Sequence, residues 1–297
     1  MTRPAIKSSS SNTAGGFLVP TPLADLIWKN IQCKSAIIPF LKKIPMGSAT
    51  LRLNAIDDEP IMTWVATEGG AKTVSNESIR QVTLTAEELA VVVLTTKILL
   101  ADSNIELIST IREEIEDAIL RALEQSYMGY YAGTPFAQTL TGSTPAAHTI
   151  AFGTHADLID DINEAVNTIE VHGHFQNIGF VAHTTLMADL RGLRDTTGQP
   201  VFRAGAADET PSTLFGYPIR FTCNMQQTGS PAAYELLIAD WKYVLEGVRN
   251  QVEIEVFNTG VVGAHNLLTE NKIAVRASIR RGFAIRDVNA LAKVTGL

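Results

Sequence analysis

Residues 103–131 read SNIELISTIREEIEDAILRALEQSYMGYY, and this stretch decides the architecture. Ser103 and Glu106 stand in the S-x-x-E arrangement, in which the serine hydroxyl accepts from the third helical N–H and the glutamate reaches back. Ile105, Ile108, Ile111, Ile115, Ile119 and Ala122 recur along one face. Glu106, Glu113, Glu114, Glu116, Asp117, Arg121 and Glu124 cover the rest, until Gly129 and Gly133 weaken the pattern. The spacing predicts a helix of about 27 residues, or about 40 Å at 1.5 Å per residue. That is more than twice the usual helix length and fits a mechanical strut better than a compact enzyme domain.

Upstream the sequence changes style. From Ala49 to Glu88, short alternating runs (Thr50-Leu-Arg-Leu-Asn54, Ile61-Met-Thr-Trp-Val65) are separated by Asp57-Asp-Glu-Pro60 and Gly69-Gly70. These are strand and turn signals for a long two-stranded excursion. A lone hairpin is marginally stable in water, so this one needs a surface to lie on, either its own body or another subunit. Glu87 to Leu100 brings the chain back as a longer strand. Ahead of the hairpin, residues 1–16 are polar, end in Gly15-Gly16 and read as a flexible arm. Pro22 then opens a short helix with Leu23, Leu26, Ile27 and Ile31 on one face.

Downstream, Gly133 to Gly153 reads as a loop, and Thr154 caps a second amphipathic helix that ends near Gly173. A buried strand (Asn177 to Ala182), a short helix (Thr184 to Leu193) and a Thr/Gly/Pro segment follow. Beyond Pro211 the chain is strand-rich, with runs at Leu214–Phe221, Glu235–Trp241, Lys242–Glu246 and Val252–Phe257. Asn271 to Val288 alternates as a strand pair or one long strand. The fold class is α+β.

Composition narrows the function. The 297 residues are 45% hydrophobic and 19% charged, with a net charge of −7, which excludes wholesale disorder. No apolar run is long enough to span a bilayer and no secretory signal opens the chain, so no membrane partner is expected. The acidity sits in the middle: residues 101–200 carry 4 basic and 14 acidic side chains, against 10 and 8 before them. An acidic protein is a poor reader of nucleic-acid sequence, although basic side chains near the N-terminus can touch phosphates without specificity. Cys33 and Cys223 match neither a redox pair nor a zinc spacing and read as reduced, buried thiols.

Catalytic signatures are missing. The sequence has no Gly-x-Ser-x-Gly elbow, phosphate loop, dinucleotide fingerprint or His-Glu-x-x-His. His172-Gly-His174, with His183 and His155, is the best metal candidate, but it lacks a closed ligand set, and no metal or other cofactor is expected. Asp57-Asp58-Glu59 reads as a solvated turn. Asp160 and Glu164 sit one helical turn apart, as carboxylates on exposed helix faces often do.

In order, these features resemble the major capsid protein of tailed double-stranded DNA bacteriophages, the family with the HK97 fold. The markers are Gly15-Gly-Phe-Leu-Val-Pro20, Trp64-Val-Ala-Thr-Glu68 within the hairpin, Leu99-Leu-Ala-Asp-Ser103 ahead of the long helix, and Leu214-Phe-Gly-Tyr-Pro218. Ala239-Asp-Trp-Lys-Tyr-Val244 and Ala274-Val-Arg-Ala-Ser-Ile-Arg-Arg-Gly-Phe-Ala-Ile285 complete them. The resemblance covers the chain from Gly15 to about Val288.

It implies a flexible N-terminal arm at 1–16, an arm helix leading into the P-domain at 17–48, and an extended E-loop at 49–88. A P-domain with the spine helix follows at 89–153, an A-domain at 154–245, and a return to the P-domain at 246–297. The implied function is structural, not enzymatic: copies assemble as pentamers and hexamers into an icosahedral shell around packaged DNA. Trp64, Glu68 and Lys72 are the expected E-loop contacts with a neighbour. Ile108, Ile111, Ile115 and Ile119 are expected to pack the spine helix, and Arg3, Lys7, Lys42 and Lys43 are candidates for the inner face. The short arm points to a separate scaffolding protein or none; a portal and a decoration protein are further expected partners. Such a protein assembles in the host cytoplasm and ends in the virion.

Some relatives cross-link an E-loop lysine to a neighbour's asparagine. Lys72 is the only lysine in this hairpin, but neither the asparagine nor a catalytic acid is matched, so cross-linking is not expected. Two other readings compete: an encapsulin-like nanocompartment shell, and a small cytosolic α+β hydrolase using His183 or His155 with Asp160.

Overall fold

The computed structural model describes residues 35–58, 62, 64, 74, 78–98, 107–152, 158–193, 202, 212–225 and 235–296. The long amphipathic stretch forms helix α1 (Leu107–Met128), 22 residues and roughly 33 Å. The Ser103/Glu106 cap lies outside the described residues. Ile115, Ile119, Leu123, Tyr127 and Met128 are buried and Ile111 is half-buried, while the side chain of Ile108 lies outside the described residues.

The face of α1 packs on a five-stranded sheet. Its axis is the 14-residue strand Lys272–Ile285, which pairs with three others. Strand β1 (Lys42–Pro45) leads into β2 (Thr50–Asp58) and β3 (Ser78–Thr85), which pair with each other, and then into β4 (Glu87–Thr96). After α1 come a single turn α2 (Leu140–Ser143), β5 (Thr149–Ala151), α3 (Leu158–Glu170), β6 (Ile178–His183) and α4 (Leu186–Gly192). Strands β7 (Thr213–Leu214), β8 (Tyr217–Thr222), β9 (Glu235–Asp240), β10 (Val244–Val248) and β11 (Glu253–Phe257) follow. Two short strands, β12 (Val261–Val262) and β13 (His265–Asn266), precede β14 (Lys272–Ile285) and β15 (Leu291–Thr295).

Strand β14 takes β4 antiparallel along one side and β10 and β11 in line along the other; β1 then adds parallel to β10. The stretch Asn271 to Val288 thus holds one long strand, Lys272–Ile285, rather than a strand pair, because its alternating pattern meets no turn signal between those ends. Ile279, Phe283 and Ile285 face the core with Tyr127, whose ring stacks on Phe283 at 4.7 Å between centroids. Burying each such aliphatic or aromatic side chain contributes about 1.5–3 kcal/mol.

The second unit is a six-stranded sheet in the order β5-β15-β9-β6-β8-β7, with α3 and α4 packed against it. Leu158, Ile162, Ala165, Val166 and Ile169 of α3 are all buried, as their helical spacing predicts. At the marker Leu214-Phe-Gly-Tyr-Pro218, Phe215 (φ 51°) and Gly216 (φ 85°) form the two-residue turn between β7 and β8, whose left-handed backbone suits glycine. Within 246–297 the chain divides: it stays in the five-stranded sheet to Ile285, then crosses so that β15 pairs with both β9 and β5. The link between the units is packed: Trp241 stacks on Phe40 at 5.1 Å and donates its indole N–H to the Gly179 carbonyl at 3.1 Å.

Two residues differ from what their sequence surroundings suggest. Cys223 is disulfide-bonded rather than a reduced thiol, because separation along the chain says nothing about distance in space; Cys33 lies outside the described residues. Glu124 is not on the solvent face of the helix but fully buried. Its Oε1 accepts the N–H groups of Ala36 (2.7 Å) and Ile37 (3.2 Å), and its Oε2 accepts from the Thr222 hydroxyl (3.3 Å) and the Asn224 amide. Four donors replace the lost water, so this carboxylate pins the helix, the strand-leading segment and the end of β8 together.

Candidate functional site

The β2–β3 hairpin divides into a seated root and a bare outer part. At the root, Ala55, Val82 and Leu84 are buried against Met46, Leu245 and Ala284 on the face of the five-stranded sheet opposite α1. Arg80 donates to the carbonyl of Arg286 at 2.6 Å. Two glycines facing each other across β10 and β14, Gly247 and Gly282, make the seat flat. A Cβ at Gly282 would lie 2.9 Å from the Thr85 carbonyl oxygen, and one at Gly247 would collide with the Met46 thioether. Sequence reasoning missed both, although a glycine inside a predicted strand is the signal for such a close approach.

Farther out, four apolar side chains are exposed. Trp64 is 101% exposed, Met62 93%, Val74 87% and Ile79 67%. Trp64, expected as an E-loop contact, is thus a bare indole; Glu68 and Lys72 lie outside the described residues. Large apolar side chains exposed in this way are the kind of group that is enriched where proteins meet.

Two recesses flank α1. Leu89, Val91 and Val93 of β4 face Ile111, Ile115, Ile119 and Ala122 across an apolar groove of about 390 Å³. On the other side, Lys43, Leu120, Leu123, Glu246, Val252 and Arg281 line a cleft of about 450 Å³. Glu246 is 2% exposed; its Oε1 accepts from the Tyr127 hydroxyl at 3.1 Å and lies 3.4 Å from Arg281 Nε. Burial pushes the Glu246 carboxyl up, and Arg281 only partly offsets this. Burial and the nearby Glu246 likewise raise Tyr127 well above the phenol range.

The expected inner-face lysines separate. Arg3 and Lys7 lie outside the described residues. Lys42 and Lys43 are exposed but adjacent on β1, so their side chains point to opposite faces of the sheet. Lys43 lines the cleft beside α1, and Lys42 the recess beside Leu53, Ala55 and Val82 of the hairpin. They do not share one surface.

The ribbon of β11 and β14 ends in a second exposed tip, carrying Val261 (70%) and Leu268 (66%). Cross-strand charges stiffen its shaft: Arg276 meets its register partner Glu255 at 2.6 Å and lies over the Phe257 ring at 5.0 Å. At the tip Glu270 accepts from Lys272 and from His265 (2.9 Å), which lowers its carboxyl, Lys272 first.

The histidines are dispersed. His174 Nε2 donates to Asp287 at 3.2 Å, His183 Nδ1 accepts the Thr185 N–H at 3.2 Å, and His155 lies outside the described residues. Burial pushes the His183 imidazole down. Among the described residues no three His, Cys, Asp or Glu side chains gather as a metal site, and no helix is long and apolar enough to cross a membrane.

The described residues thus combine a long helix on a five-stranded sheet, a seated hairpin and a second, six-stranded sheet. The model of the phage capsid family matches residues 15–296. The chain belongs to this family. As a phage capsid protein it is structural rather than enzymatic, self-assembles into shells and forms part of the virion shell. No curated protein matches it. Among solved structures, one from Microbacterium phage Oxtober96 is 25% identical, with a TM-score of 0.80 over 96% of this chain and 98% of that one. One from Mycobacterium phage Bobi is 22% identical, with a TM-score of 0.80 over 96% and 97%. The capsid of a native GTA particle is 15% identical, with a TM-score of 0.77 over 98% and 99%. The fold of this capsid protein is HK97-like.

Proposed function

We propose that copies of this chain assemble as pentamers and hexamers into an icosahedral shell that encloses packaged double-stranded DNA. The observation that carries this reading is the hairpin: its root is fixed on its own sheet, while Trp64, Met62, Val74 and Ile79 face water. A ribbon of that design gains its missing burial on a neighbouring subunit, and many such modest contacts around a closed shell add through multivalency.

In this reading α1 and the five-stranded sheet form the peripheral domain and residues 49–88 the E-loop. The six-stranded sheet with α3 and α4 forms the axial domain, to which β5 and β15 belong by pairing. A separate scaffolding protein, a portal and a decoration protein are the partners of assembly, which takes place in the host cytoplasm. Contact with DNA is non-specific and electrostatic. Lys42 and Lys43, being on opposite faces, serve it one at a time.

Negative-stain electron microscopy of the purified chain across concentration and salt tests the proposal. Closed shells or five- and six-membered rings are expected. Small compact particles under every condition, including with the scaffolding protein co-expressed, overturn it. Nucleic acid rather than a protein cargo inside particles from infected cells separates this shell from a nanocompartment.

A further inference from the structure

The six-stranded unit brings together two histidines that are far apart in sequence. His148 ends the helical turn Ala146–His148, and His172 lies in the turn after α3; their ring centroids are 5.1 Å apart and the planes cross at 53°. Each Nδ1 is 2.9 Å from a backbone carbonyl oxygen, that of Leu291 for His148 and that of Thr168 for His172. A carbonyl oxygen only accepts, so in both rings Nδ1 carries the proton and donates it. In the neutral imidazoles both Nε2 atoms then keep a lone pair.

This is how proteins prepare histidine ligands: the far ring nitrogen is tied to a carbonyl, which fixes tautomer and ring direction. The spacing fits as well. Two imidazoles bound through Nε2 to one ion at about 2.0–2.1 Å, at a near-tetrahedral angle, hold their ring centres roughly 5 Å apart. We propose that His148 and His172 form a binding site for a divalent transition-metal ion such as Zn²⁺ or Ni²⁺.

Imidazole ligands favour these ions over Mg²⁺ and Ca²⁺, which prefer oxygen. Among the described residues no third His, Cys, Asp or Glu joins the pair, so water completes the coordination and the ion exchanges readily. A bound ion ties the 146–148 turn to the end of α3, closing the side of the sheet where β15 pairs with β5. The pairing also re-sorts the sequence motif: His172 acts with His148, while His174, two residues on, turns to Asp287 and Tyr243.

The test is metal titration of the purified full-length chain with ZnCl₂ and NiCl₂, with MgCl₂ as the blank, read by calorimetry and by X-ray absorption at the metal edge. One ion per chain with two imidazole ligands is expected, and no response to Mg²⁺. His172→Ala changes an exposed side chain and leaves the fold intact; it weakens binding at least about tenfold. His183→Ala leaves it unchanged. Zn²⁺ raises the melting temperature of the wild type and not of His172→Ala. Equal affinity in His172→Ala and wild type, fewer than two imidazoles on the ion, or no binding at all overturns the proposal.

Discussion

The six-stranded unit and the β2–β3 hairpin are both strand structures, yet they solve burial in opposite ways. In β6 five of six residues are buried, and the helices that cover the sheet come from the same chain. In β3 only Val82 and Leu84 are buried, and the apolar Ile79 stays in water. The first region is finished when the chain folds; the second keeps apolar side chains in water, and in the assembly proposed above it is another copy that covers them. Stability and assembly are therefore written into different residues.

The largest way to break this contrast is inside the finished unit. Phe180 and Ile162 are fully buried, and Phe180→Asp places an unpaired carboxylate among aliphatic groups. A loss of at least about 4 kcal/mol is expected, seen as insoluble protein or a lost melting transition. Next comes the seat of the hairpin. Gly282→Val pushes a branched side chain into the Thr85 carbonyl and should cost about 1–3 kcal/mol. Limited proteolysis should then cut in 50–85 first, while the six-stranded unit stays protected.

An alkaline titration sharpens the comparison from the side of the α1 core. Tyr127 and Tyr130 are both raised above the ordinary phenol value of 10.0, by burial first and by Glu246 and Glu235 next. The folded state holds their protons more tightly than the unfolded state, so their contribution is complete below pH 10 and is lost as pH rises above it. Tyr127→Phe should flatten that alkaline fall in denaturant midpoint.

The smallest effect on folding belongs to the bare ribbon. Ile79→Asp and Trp64→Ser should change stability by less than about 0.5 kcal/mol in the isolated subunit, checked by thermal unfolding. The same variants should yield no closed shells by electron microscopy. Wild-type assembly in both would mean that the outer hairpin is not the contact surface.

Much of this was legible in the sequence because periodicity reports burial directly. The isoleucines of α1, the stripe of α3 and the alternation of β14 each name their own element. What stayed hidden depends on the third dimension. Glu124 sits among exposed acids in sequence and is buried because its last helical turns run beneath Ala36 and the end of β8. Gly247 and Gly282 look like weak points in two strands until they are seen facing each other under the hairpin. His148 carries no motif, and its neighbour His172 is reached only through the packing of a turn on α3. Strand β15 is five residues of ordinary composition, and nothing local says which sheet it joins.

That last strand has a consequence in time. Strand β15 lies between β5 and β9, so the six-stranded sheet is continuous only after residues 291–295 have left the ribosome. Until then β9, an apolar strand, keeps one side of its backbone unpaired, the kind of edge that captures other chains. A polypeptide cut short by even a few residues before β15 therefore emerges adhesive rather than merely incomplete.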